Sequence, residues 1–166
     1  MARQQHRVHG DARRFEVVAA FVSDRFGHSV RYVADVAGGQ GLLARILTKK
    51  YNYEAEVIDP RGWVCRGVES RAVEFTAEMA GHFDLVVGLH PDEALRPVVA
   101  AAAIRPVVVV PCCNFWSDER LGSGALLDAI EASLGAERIA CERVAFDFAP
   151  PKNLGLCAVP AGWRGR

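Results

Sequence analysis

The sequence predicts an α/β fold with a mostly parallel sheet and an antiparallel hairpin at its C-terminal end. Three observations predict it. Short apolar segments alternate with amphipathic ones along most of the chain. A glycine-rich turn, Gly38-Gly39-Gln40-Gly41, separates the first β-rich segment from a helical one. Near the C-terminus two β-rich segments are separated only by Ala149-Pro150-Pro151-Lys152-Asn153, close enough to pair antiparallel. A length of 166 residues suits one domain over residues 1–166.

The elements follow in order. Phe15, Val18, Ala19, Val22 and Phe26 recur every three or four residues, which predicts an opening helix ending at Gly27. Residues 1–11, before it, are expected to be flexible. Residues 29–35 read as the first strand and residues 42–50 as a helix, with the glycine turn between them. Residues 54–59 form the second strand, broken by Pro60-Arg61-Gly62, so a parallel crossover is implied. Residues 71–75 alternate like a short strand, and no clear helical pattern precedes them. The unbroken apolar runs at residues 83–89 and 107–110 are those of buried parallel strands. Between them residues 92–103 read as a helix entered at Pro91, with Pro97 in its early turns and the alanines at 100–103 buried. Residues 126–134 are a further helix, and residues 143–148 and 154–159 are the strands of the hairpin.

Composition excludes several function classes. Twenty Lys and Arg balance twenty Asp and Glu, so no global field draws the chain to nucleic acid or an anionic membrane. No apolar run approaches the roughly 20 residues of a membrane span. The first residues lack an apolar signal core, from which a cytoplasmic location is expected. Cys65, Cys112, Cys113, Cys141 and Cys157 are odd in number and contain no C-x-x-C pair, which argues for reduced thiols and against a standard zinc site. No metal is expected.

The residues with chemical meaning gather around the glycine turn. Glycines there let a ligand approach the backbone of a first βα turn. Asp59 follows Gly39 by twenty residues and ends the next strand, where a carboxylate accepts both hydroxyls of an adenosine ribose. The bland alternative is a tight turn and an ordinary surface aspartate. Gly39-x-Gly41-x-x-Ala44 also satisfies the dinucleotide fingerprint, so a small NAD-binding oxidoreductase is a rival. Asp35 speaks against it, because a carboxylate at the end of the first strand repels a pyrophosphate and suits a cationic amino-acid ligand better.

On Asp35, Gly39 and Gly41 the sequence resembles the class I S-adenosylmethionine-dependent methyltransferases, whose first motif is acidic-x-Gly-x-Gly-x-Gly. Ala37 stands where that family has its first glycine. The resemblance spans about residues 30–159 and implies a Rossmann-like three-layer sandwich with a seven-stranded sheet. It further implies S-adenosyl-L-methionine as cofactor, held by Asp35, Ala37, Gly38, Gly39, Gly41 and Asp59, with Glu78 at the adenine amino group.

The same resemblance puts the acceptor pocket at the turn after the fourth strand, Gly88-Leu89-His90-Pro91-Asp92. His90 is a candidate base with Asp92 as its orienting partner, or both simply cap the next helix. The Asn/Asp-Pro-Pro-Tyr/Phe motif of amino-methyltransferases is absent from that turn. After the fifth strand, Pro111-Cys112-Cys113-Asn114-Phe115-Trp116 is similar to a subgroup, including tRNA-modifying relatives, with a Pro-Cys-Cys motif. Cys112 or Cys113 is a candidate covalent nucleophile, and packing of two small thiols is the alternative. Phe115 and Trp116 can stack on a base, close over the cofactor or anchor a dimer. Arg3, Arg7, Arg13, Arg14, Arg164 and Arg166 put positive charge at both ends, for phosphates or simply for solvent.

The expected function is therefore methyl transfer from S-adenosylmethionine to RNA, slightly favoured by the subgroup resemblance, or to a small molecule. A catalytically inert, cofactor-binding subunit of a larger complex stands as the alternative outside the enzymes; exposed Trp63, Phe115 and Trp116 would mark its interface. Homodimer and partner subunit both stay open.

Overall fold

The computed structural model describes residues 10–166 and places seven strands in one sheet in the order β3-β2-β1-β4-β5-β7-β6. The strands are β1 (Tyr32–Val36), β2 (Glu54–Ile58), β3 (Glu69–Arg71), β4 (Leu85–Leu89), β5 (Val107–Val110), β6 (Ala140–Ala145) and β7 (Leu154–Val159). The first five pair parallel, while β7 runs antiparallel to both β5 and β6. The helices are α1 (Arg13–Phe26), α2 (Leu42–Tyr51), α3 (Leu95–Ala100) and α4 (Ser123–Ala136).

Alternation along the central strands sorts side chains to two cores. Val33, Val57, Leu85, Val87, Val108 and Val110 pack with α1 and α2. Ala34, Val36, Ile58, Val86, Val107 and Val109 face the other way, onto α3, α4 and the 3₁₀ segment Ala77–His82. This is the three-layer sandwich expected from the sequence. Beside β1 the chain runs outward to β2 and β3, then returns to β4 on the opposite side. The carboxyl ends of β1 and β4 therefore flank a topological switch point, where open α/β sheets bind their ligands.

Several elements depart from the sequence reading for identifiable reasons. The third strand is Glu69–Arg71 rather than residues 71–75. Its register, Glu56↔Glu69 to Ile58↔Arg71, is closed by a hydrogen bond from Asp59 N–H to Arg71 O (3.2 Å), after which Phe75 turns into the core. Residues 92–103 form α3 flanked by 3₁₀ segments at Asp92–Ala94 and Ala101–Ala103; Pro97 is the third residue of α3, where no intrahelical N–H bond is required. The sixth strand is Ala140–Ala145, not 143–148: Phe146 N–H still reaches Asn153 O at 2.8 Å, but the chain then turns, and Phe146 and Phe148 stack on each other at 5.9 Å and fill the core.

At the start of α1, Asp11 Oδ1 accepts from Arg13 N–H (2.9 Å) and Asp11 Oδ2 from Ala149 N–H (3.0 Å). The residue that ends the segment expected to be flexible is thus tied to the hairpin. The rest of that expectation, with Arg3 and Arg7, lies outside the described residues, Gly10 apart. Among the described residues no helix is long and apolar enough to cross a membrane.

Candidate functional site

The turn after β1 is shaped by what lies beneath it. Asp35 is 1% exposed, points to the α1/α2 side of the sheet, and accepts from Ala44 N–H of α2 (3.1 Å). Gly38 passes directly over this carboxylate, so a Cβ there would fall 2.5 Å from Asp35 Oδ2. At Gly41, with φ +75°, a Cβ would meet Val68 Cγ1 at 2.7 Å and Val57 Cγ2 at 2.9 Å. Ala37 adopts φ +54°, left-handed backbone that an L side chain enters at a cost of roughly 1–2 kcal/mol. Burial pushes the Asp35 carboxyl up to about 7, only partly opposed by the Ala44 bond. Asp35 is therefore a brace that fixes the turn to α2 from below.

Asp59, also 1% exposed, leaves the tip of β2 toward the same turn. Its Oδ2 accepts from Gly39 N–H (2.9 Å) and from Arg61 Nη2 (2.7 Å), while Oδ1 accepts from Arg61 N–H and Nε, both at 2.9 Å. Burial alone would raise its pKa, but the Arg61 side chain and backbone, with Gly39, outweigh burial and hold the carboxyl below its ordinary value. The spacing between Gly39 and Asp59 noted in the sequence is thus a direct contact.

A cleft of about 580 Å³ opens at these strand ends, within the range of about 300–1,000 Å³ usual for small-molecule sites. Val36 and Ala37 form its β1 wall, and Ile58, Asp59 and Arg61 its β2 wall. Glu74 and Phe75 close one side; Pro91, Asp92, Glu93 and Pro97 close another, with Cys113 and Phe115 contributed from beyond β5. A depression of equal volume, lined by His28, Arg31 and Glu54 among others, lies at the opposite, amino-terminal ends of β1 and β2, away from the glycine turn.

The sequence-predicted residues divide between this cleft and its surroundings. Ala37, Asp59, Asp92 and Cys113 line it. Glu78 does not; it is exposed near the start of the 3₁₀ segment, with its own backbone N–H, helped by the Thr76 side chain, holding its carboxyl below the ordinary range. His90 is also absent from the wall. Its Nε2 lies 2.9 Å from Lys152 O and its ring meets Phe148 edge-on at 6.3 Å, so the imidazole packs on the hairpin. Burial lowers its pKa despite the Lys152 contact, giving a neutral ring that donates Nε2–H to Lys152 O, the tautomer this contact assigns.

Cys112 Sγ–H donates a hydrogen bond to Asp92 Oδ1 (3.1 Å), and Cys112 Sγ lies 3.5 Å from Cys113 Sγ. Burial, reinforced by the Asp92 carboxylate and the second thiol, pushes the Cys112 thiol far above its ordinary range, so it is a poor nucleophile in this state. Trp116 is half-buried against the core, with the Arg96 guanidinium 5.6 Å above its ring and bonded to its carbonyl. Of the three aromatics considered for an interface, Trp63 and Phe115 are exposed. Among the terminal arginines, Arg13 pairs with Asp11 and Arg166 with Asp84.

Sequence reasoning missed Arg61, Glu74, Phe75 and Glu93 as cleft residues. Arg61 carried a signal, a guanidinium two residues beyond Asp59 in a strand-breaking turn. Glu74 and Phe75 were hidden by being read as strand.

No protein-family model and no curated protein matches the sequence. Solved structures do match. The sugar N-methyltransferase KedS8 from Streptoalloteichus sp. ATCC 53650 is similar over 96% of this chain and 99% of its own, at 16% identity and a TM-score of 0.58. A SAM-dependent methyltransferase from Aquifex aeolicus is similar over 90% of this chain and 93% of its own, at 15% identity and a TM-score of 0.55. This chain has the class I methyltransferase fold. The methyltransferase domain of bacterial CtHen1 shares that fold over 89% of this chain and 98% of its own, at 12% identity and a TM-score of 0.59. Within the methyltransferase fold, the cleft described above lies at the carboxyl edge of the parallel strands, between the glycine turn and the exits of β4 and β5.

Proposed function

We propose that the chain transfers a methyl group from S-adenosylmethionine to a small, neutral or cationic acceptor bound in the 580 Å³ cleft. The observation that carries this reading is the union of the glycine turn and Asp59, through the 2.9 Å bond from Gly39 N–H. It presents a buried, ionised carboxylate to ribose hydroxyls beside backbone that a ligand can approach. S-adenosylmethionine supplies an electrophilic methyl group on a sulfonium sulfur. Asp59 orients the nucleoside once Arg61 gives up at least one of its bonds. Ile58, Phe75, Pro91, Pro97 and Phe115 contribute apolar wall that displaces water from the reacting atoms.

Charge favours the acceptor class. Asp59, Glu74, Asp92 and Glu93 are set against a single Arg61 around the cleft, a balance that attracts an amine and repels a phosphodiester. This ranks a small molecule above RNA, in keeping with the sugar N-methyltransferase activity named for the KedS8 structure. Asp92, on the cleft wall, is placed to orient the acceptor, with Cys113 beside it. His90 acts from behind as a positioning residue. Incubation with methyl-labelled S-adenosylmethionine and matched panels of amino sugars and oligoribonucleotides tests the reading. Label in the amino-sugar panel is expected; label in the oligoribonucleotides alone would overturn the acceptor class.

A further inference from the structure

The absence of a C-x-x-C pair removes zinc from consideration only while ligands are sought along the chain. The sheet brings them together from two strands. β4 and β5 are parallel neighbours paired through Leu89↔Val110, and His90 N–H extends that ladder to Val110 O at 2.9 Å. Both chains therefore leave the sheet at the same level: Asp92 stands three residues beyond Leu89, Cys112 and Cys113 two and three beyond Val110. Among the described residues, Asp92, Cys112 and Cys113 are the one group of three metal-capable side chains whose ligand atoms all lie within 4.8 Å of one another.

The distances suit coordination. Zinc bonds of about 2.3 Å to sulfur and 2.0–2.2 Å to oxygen, in tetrahedral array, put two sulfurs roughly 3.8 Å apart and sulfur and oxygen roughly 3.6 Å apart. Here the two sulfurs are 3.5 Å apart and Cys112 Sγ is 3.1 Å from Asp92 Oδ1. These two distances lie within about half an ångström of the coordinated values, and Cys113 Sγ and the Asp92 carboxylate lie within 4.8 Å of each other, so side-chain adjustment alone would convert the present hydrogen-bonded cluster into a ligand set. Two thiolates and a carboxylate select a borderline or soft divalent ion over magnesium or calcium, which take oxygen ligands.

We infer that Asp92, Cys112 and Cys113 form a three-ligand site for a zinc-class divalent cation at the exits of β4 and β5. Three protein ligands leave one coordination position for water or another donor, the arrangement of zinc sites that act on a ligand. Since Asp92 and Cys113 also line the cleft, the ion would sit in its wall. Binding forms two metal–sulfur bonds and one metal–oxygen bond, and the two thiol protons pass to solvent. The site stands on its own ligand geometry and is independent of the methyl-donor reading.

The test uses the full chain, stripped with a chelator and kept reduced. Zinc is titrated against a chromophoric chelator, and cobalt(II) is added separately to read sulfur-to-metal charge-transfer absorption. One equivalent of zinc and a two-thiolate cobalt spectrum are expected. Cys112→Ser and Cys113→Ser should each lose half the charge-transfer intensity, and Asp92→Asn should weaken zinc by roughly tenfold or more, since loss of even an outer partner costs 10–100-fold. Circular dichroism confirms that each variant is folded, and Asp92→Asn keeps both thiols should a cysteine variant fail that check. A folded wild-type chain that retains no zinc would overturn the site. Equal affinity in the Cys112→Ser/Cys113→Ser double variant would overturn it too, by placing the metal elsewhere.

Discussion

Arg61 holds both carboxylate oxygens of Asp59, with Nε 2.9 Å from Oδ1 and Nη2 2.7 Å from Oδ2. The oxygens a ribose needs are thus already engaged by a side chain of the same turn. Asp59 is buried while the Arg61 side chain remains 53% exposed, so one partner is fixed and the other is free to swing into solvent. The guanidinium holds the Asp59 carboxyl below its ordinary range, and under the proposed function it is the partner that ribose hydroxyls would have to displace.

This relationship predicts opposite effects at its two ends. Asp59→Ala should weaken S-adenosylhomocysteine binding by about 1–3 kcal/mol through loss of charge-assisted bonds. Arg61→Ala should tighten it, but modestly: a half-exposed pair is worth about 0–1 kcal/mol after screening, or up to about fivefold in affinity. Calorimetric titration of both variants checks this, and weaker binding in Arg61→Ala would make Arg61 a ligand contact rather than a competitor.

Asp35 predicts a pH dependence. Its folded pKa of about 7 lies above the unfolded value of 3.8, so the folded state binds the extra proton. The resulting stability is fully present below pH about 4 and is lost as pH rises through about 7. Asp35→Asn keeps an acceptor for Ala44 N–H but cannot ionise. The stability gap between Asp35→Asn and the wild type should therefore widen in favour of the variant, by on the order of a few kcal/mol, between pH 4 and pH 8. Urea unfolding across that range reads it; parallel pH curves would contradict a buried, raised carboxyl.

Gly38→Ala should destabilise the chain by about 1–3 kcal/mol, because its Cβ would lie 2.5 Å from Asp35 Oδ2 within a packed turn. The cost should shrink when Asp35→Ala is added, since the atoms it meets are gone. An unchanged cost in the double variant would assign the penalty to backbone conformation instead.

How far this site could be read from the sequence depended on whether its contacts were local. The glycine turn and Asp59 were legible because both sit at strand ends, and the parallel β1–β2 pairing carries Val36 beside Ile58. The mostly parallel sheet with its terminal hairpin was legible, since continuous valine runs such as Val107–Val110 read as buried parallel strands. Three features were not. Phe146 and Phe148 have strand composition yet pack as loop residues, Glu74 reaches the cleft only because β3 ends at Arg71, and the Asp92–Cys112 contact spans two strands. Each depends on where a chain leaves the sheet, which local periodicity does not encode.

His90→Ala bears on the division between positioning and catalysis. With Nε2 bonded to Lys152 O and the ring against Phe148, truncation should lower the melting temperature and leave S-adenosylhomocysteine affinity nearly unchanged. Methyl transfer should slow by less than about tenfold, against the 10²–10⁴-fold expected for loss of a general base. His90→Gln, which retains a donor for Lys152 O, should recover most of the lost stability. A loss of 10²-fold or more in a folded His90→Ala chain would return His90 to the role of base.

The central claim is that the glycine turn and Asp59 hold S-adenosylmethionine, and parallel calorimetric titrations of the wild-type chain with S-adenosylhomocysteine and with NAD test it most directly. The account predicts one site for S-adenosylhomocysteine, weakened in Asp59→Ala, and no heat with NAD. Binding of NAD alone would make the chain a dinucleotide-binding protein, and binding of neither would leave a methyltransferase fold without its chemistry; either result contradicts the account.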